Sequence, residues 1–96
     1  MTTKDIKKDL REIRTYYASE HLFKQASKLC RLGIEEKVAR YNRAMENAPA
    51  MLCVIYISLY VNNNMQAVVA EDLGYTTEYI KYQNSLLCKF LLEKLS

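Results

Sequence analysis

The chain is poor in the residues that punctuate a fold. Gly occurs twice and Pro once in 96 residues, too few for the turns of a many-stranded sheet, so an all-α domain is expected. His21 is the only histidine, and Cys30, Cys53 and Cys88 stand far apart with no paired spacing. That scatter excludes a disulfide framework and a zinc site, and it fits reduced thiols of a cytosolic, cytoplasmic protein, each acting as a small buried hydrophobe. His21 beside Glu20 has neither nucleophile nor ligand partner and reads as an exposed structural residue. The longest apolar run, residues 48–61, is interrupted by Pro49 and Ser58 and falls short of the roughly 20 residues that span a bilayer, so no membrane partner is expected. The opening Met1-Thr2-Thr3-Lys4-Asp5 has no apolar stretch of the signal-peptide kind. Gly-rich phosphate loops, low-complexity tracts and internal repeats are missing as well. The adjacent acids Glu35-Glu36 and Glu71-Asp72 diverge around a helix, and no nucleophile, acid–base pair or metal cluster has a working spacing. Enzyme chemistry is not expected, and neither a cofactor nor a metal is implied.

What the chain has is helical periodicity, within a length that suits one domain over residues 1–96. Residues 1–47 read as charged N-terminal helices and residues 49–96 as a central helix followed by a helix-turn-helix. Thr2 or Thr3 caps the first helix, with Asp5 in its first turn. Ile6, Leu10, Ile13 and Tyr17 form its apolar face, and Lys7, Lys8, Arg11 and Arg14 fall on its solvated side. Near Ser19 the phase slips to Leu22, Phe23, Ala26, Leu29 and Cys30, which fits either a kink or a new helix capped by Ser19. Gly33 suits the position just past a helix end. Ile34, Val38, Tyr41 and Met45 then restart the pattern until about Asn47, because Pro49 disfavours helix at the residue before it. Pro49 suits the first helical position of the next segment. Residues 51–61 are apolar all round, which predicts a buried central helix surrounded by the others; their β-branched and aromatic content leaves a buried strand as the rival. Asn62-Asn63-Asn64 is a connector.

The stretch with the most functional content is Val68-Val69-Ala70-Glu71-Asp72-Leu73-Gly74-Tyr75-Thr76-Thr77-Glu78-Tyr79-Ile80-Lys81-Tyr82. Val68, Val69 and Leu73 anchor a short helix, Gly74 allows the positive φ of a tight turn, and Thr76 or Thr77 caps a final helix. Ile80, Leu87 and Leu91 give that helix an inward stripe. Leu86, Phe90 and Leu95 widen it, as packing on the N-terminal helices or on a second subunit of a homodimer requires. Most of the eight tyrosines suit core positions with the hydroxyl at a polar edge.

Over residues 51–96 the pattern resembles the promoter-reading helix-turn-helix in the fourth region of bacterial sigma factors, and it is similar to small phage transcription regulators that carry this unit at the C-terminus. The resemblance implies contacts to bases or phosphates from Thr76, Thr77, Glu78, Tyr79, Lys81 and Tyr82, with Leu73 and Ile80 holding the two helices together. It implies double-stranded DNA as partner. Family members usually carry arginines where this chain has Thr77 and Tyr79. Charge departs too: residues 1–48 hold 11 basic and 7 acidic side chains, whereas residues 49–96 hold 3 and 4. Either the N-terminal helices supply phosphate contacts or the unit binds protein. The leading expectation is a sequence-specific DNA-binding transcription regulator of a phage or mobile element. The alternatives are an interaction module that docks on RNA polymerase or another regulator, and a phage DNA-packaging or recruitment protein.

Overall fold

The computed structural model describes residues 1–19 and 28–96, with backbone alone at 28–30. Helix α1, Thr3–Ala18, opens on a capping box in which Asp5 N–H donates to Thr2 Oγ1 and Thr2 N–H donates to the Asp5 carboxylate at 2.8 Å. The backbone bond from Thr2 is the main reason the Asp5 carboxyl is held below its ordinary value. Ile6, Leu10 and Ile13 are fully buried and Tyr17 half-buried, as the spacing requires. Ser19 closes the helix, its N–H donating to Thr15 O. The phase slip expected beyond it, with His21 and the side chains of Leu22, Phe23, Ala26, Leu29 and Cys30, lies outside the described residues.

Helix α2, Lys28–Ala44, runs straight through Gly33, so the helix end expected there is not where α2 stops. One glycine costs a helix only about 1 kcal/mol, and the stripe of Val38, Tyr41 and Met45 that follows is buried. Packing of that stripe outweighs the local preference. A Cβ added at Gly33 would meet nothing within 4 Å. Gly33→Ala is therefore expected to stabilise the protein by about 0.5–1 kcal/mol, read as a rise of a few degrees in thermal unfolding followed by circular dichroism.

Pro49, at φ −54° and ψ 144°, stands just before α3, Ala50–Tyr56, rather than inside it. The helix then widens into a π-helical segment, Ile57–Val61, whose end is held by Asn62 N–H donating to Ile57 O at 2.8 Å and Asn64 N–H donating to Ser58 O at 3.0 Å. No strand occurs among the described residues; a lone strand here would have left its backbone groups unpaired. Leu52, Ile55, Tyr56, Leu59 and Tyr60 are buried, while Val54 and Ile57 remain 37% and 49% exposed. The segment is thus enclosed on one side, not all round as its uniform apolarity suggested.

Arg14 of α1 ties down the π segment. Its Nε donates to Leu59 O at 3.1 Å, and its guanidinium lies 5.1 Å over the Tyr60 ring. A residue expected on a solvated face is committed to the interior.

Asn63, at φ 55°, turns the chain into α4, Gln66–Leu73, and then α5, Thr77–Leu95. Helix α5 packs against α1, α2, α3 and α4, so the C-terminal helix, not the 51–61 segment, is the central post. Ile80, Leu87 and Leu91 are completely buried, and Leu86, Phe90, Leu92 and Leu95 pack against the same core from its rim. The chain's own helices thereby cover much of the apolar surplus.

Tyr41, Tyr56 and Tyr60 are buried in this core with their hydroxyls on polar partners. Tyr41 OH donates to Asp9 at 2.6 Å, Tyr56 OH to Asn42 at 2.8 Å, and Tyr60 OH to Asn84 of α5. Among the described residues no helix is long and apolar enough to cross a membrane.

Candidate nucleic-acid interface

The turn between α4 and α5 is built by local chemistry. Gly74 adopts φ 76°, Tyr75 N–H donates to Ala70 O at 2.9 Å and Gly74 N–H to Glu71 O at 3.3 Å, the paired bonds of a Schellman motif. Thr76 then caps α5 by accepting from Tyr79 N–H at 3.1 Å. Of the expected anchors of α4, Val69 is buried, whereas Val68 and Leu73 are 42% and 39% exposed. Buried Ala70 takes the inward position instead, because its small side chain lets α4 lie close on the core. Leu73, expected to hold the two helices together, stays outside the core cluster, whereas Ile80 is fully buried in it with Val69 and Ala70.

The six candidate contact residues separate into two groups. Glu78, Lys81 and Tyr82 are exposed on one side of α5, with Tyr82 at 59%. Thr76 is exposed with its hydroxyl engaged in the cap, and Thr77 is half-buried. Tyr79 packs against the core and stacks on Tyr75 at 4.4 Å between ring centroids. Its role is to brace the turn as much as to meet a partner.

Two residues on the open side went unnoticed in the sequence. Ser85 and Lys89 follow Lys81 at steps of four and are exposed, so the helical phase places them on the same strip. Ser85 Oγ donates to Lys81 O at 3.1 Å. From Lys81 to Lys89 the strip runs about 12 Å at 1.5 Å per residue.

Charge around this strip is sparse. Glu71, Asp72 and Glu78 are exposed near the turn, and Glu78 offsets the positive end of the α5 dipole. In the N-terminal half, Lys37 forms ion pairs with Asp9 at 3.0 Å and with Glu12, Arg31 pairs with Glu35, and Arg40 lies 5.8 Å over the Tyr41 ring. Arg43 and Lys94 stand in the last turns of α2 and α5, where they compensate helix dipoles.

A short helix, a Schellman turn and a capped long helix with one side open define a helix-turn-helix unit carried on an all-α bundle. No family model, no curated protein and no solved structure matches the chain.

Proposed function

We propose that the chain is a small sequence-specific DNA-binding regulator of transcription, of the sort carried by a phage or mobile element, with α5 as the reading helix. The observation that carries the reading is the division of α5 along its length. Ile80, Leu87 and Leu91 are fixed in the core while Lys81, Tyr82, Ser85 and Lys89 face solvent. A helix held in this way presents one rigid polar strip, and the major groove of duplex DNA is wide enough to admit it. Lys81 and Lys89 suit phosphates, Ser85 a base edge or phosphate, and Tyr82 a phosphate or thymine methyl.

The test is a gel shift on duplexes selected from a randomised pool against scrambled duplexes. Tyr82→Ala is expected to reduce the preference, on the scale of about 1–3 kcal/mol for a lost base contact, and Lys81→Ala to weaken binding to selected and scrambled duplexes alike. Helix content should stay unchanged, because both side chains are exposed. A wild-type protein with no sequence preference at low salt would overturn the reading.

One observation favours docking on RNA polymerase or another regulator instead. Met65, Val68 and Tyr75 are 74%, 42% and 44% exposed around α4 and the turn, beside Glu71 and Asp72, and apolar anchors rimmed by charge suit a protein partner. Under that reading the Lys81 and Tyr82 substitutions abolish activity only if they abolish partner binding.

A further inference from the structure

Helix α1 carries its charge unevenly around its circumference. Lys4, Lys8 and Arg11 recur at steps of four and three, and Lys7 lies next to them around the helix. All are exposed, and among the described residues no acidic side chain lies within ion-pair distance of any of them. The acids of α1 occupy the other flank. Asp5 closes the capping box, while Asp9 and Glu12 hold Lys37 of α2. The acidic flank therefore faces α2.

One edge of the basic flank borders α5, while Lys8 and Arg11 at its other edge line a groove with Glu12, Thr15 and Ile34 of α2. Arg14, seven residues after Lys7 and so on the same side of α1, lies over Tyr60, whose hydroxyl donates to Asn84 of α5. Helix α1 packs directly against α5, and the helical phase puts Lys7 on the same side of α1 as Arg14. The α1 cations, with Lys7 at their α5 edge, and the open strip from Lys81 to Lys89 thus lie on two helices packed against each other.

We infer that Lys4, Lys7, Lys8 and Arg11 form a phosphate-contacting surface for double-stranded DNA alongside the α5 strip. This rests on the DNA-binding part of the reading above. It resolves the charge problem of that reading, since α5 alone offers Lys81 and Lys89 on its open side, and affinity for a duplex needs several neutralised phosphates. Four exposed cations without an ion-pair partner suit a phosphodiester backbone better than a protein interface, whose core is desolvated and depleted in charge.

The experiment measures binding to a selected duplex and to random duplex DNA across a salt series, for wild type and for the variant Lys4→Gln, Lys7→Gln, Lys8→Gln, Arg11→Gln. Each lost phosphate contact removes roughly 0.9 from the slope of log affinity against log salt, so the slope is expected to become shallower by roughly 2–4. The ratio of selected to random binding should be preserved. The pair Lys4→Gln and Lys8→Gln should give about half the effect, which separates charge loss from any folding defect in the larger variant. An unchanged slope overturns the inference and leaves the proposed function standing. A wild type without sequence preference whose slope still falls in the variant overturns sequence-specific reading and supports the basic surface. A wild type that binds no duplex at low salt overturns both.

Discussion

Raising the pH from 10 to 12 is expected to unfold this protein. Tyr41, Tyr56 and Tyr60 are 0%, 3% and 6% exposed. Burial, foremost among the causes, pushes all of them above the ordinary value of 10.0, Tyr60 to about 12 and the other two further. A group whose proton is held more tightly in the folded state stabilises the fold fully below the unfolded value, and that stabilisation is lost as pH rises beyond it. Each buried tyrosine thus withdraws about 1.4 kcal/mol per pH unit above 10. By pH 12 the three together approach the roughly 5–15 kcal/mol that holds a domain folded. Lys37, whose hydrogen bond to Glu12 raises it above 10.5, acts in the same direction at a slightly higher pH. Circular dichroism should show stability flat below pH 10, then a cooperative loss of helix accompanied by a step in tyrosinate absorbance. Tyr56→Phe should make the alkaline limb less steep by one tyrosine. Complete tyrosinate absorbance in a chain that remains helical would show that these rings are not buried.

What the sequence revealed and what it hid divide by distance along the chain. The start of α1 at Thr2 or Thr3 with Asp5 in its first turn, the Gly74 turn, a cap of α5 at Thr76 or Thr77 and the Ile80, Leu87, Leu91 stripe were legible, because each is made by residues within a few turns of one another. Arg14 was not. Its acceptor, Leu59 O, lies 45 residues away in a helix that has widened to π geometry, and no periodicity signals that widening. Gly33 misled because a local C-cap preference of modest size was overruled by packing further along α2. The open strip was legible only in part. Lys81 and Tyr82 stood inside the turn motif, whereas Ser85 and Lys89 required carrying the same phase past it. The excess of basic residues in the first half was visible as a count. Its separation into cations spent on internal contacts, such as Arg14 and Lys37, and cations left facing solvent, such as Lys4, Lys8 and Arg11, depends on which helix lies on which flank of α1.

Asp9 shows the same limit at its sharpest, and its replacement by alanine is expected to destabilise the protein by about 2–3 kcal/mol. In the sequence it stands between Lys8 and Leu10 among a run of charges, where a surface acid would be worth almost nothing. In the fold it is buried, accepting from Tyr41 OH at 2.6 Å and pairing with Lys37 Nζ at 3.0 Å. Removing the carboxylate strands the hydroxyl of Tyr41, a residue with no exposed surface, and an unsatisfied buried donor costs about 1–3 kcal/mol. Lys37 suffers less, since it keeps Glu12 and its side chain is 26% exposed. The two substitutions should therefore be non-additive. Tyr41→Phe alone gives up one hydrogen bond, about 1 kcal/mol, and in the Asp9→Ala background it removes the stranded hydroxyl. The double variant is then expected to be no less stable than Asp9→Ala, with a coupling of about 1 kcal/mol or more between the sites. Urea unfolding of the wild type, both single variants and the double variant measures it. Full additivity would mean that the Tyr41–Asp9 bond contributes nothing, and a cost below about 0.5 kcal/mol for Asp9→Ala would place that residue back among the surface charges.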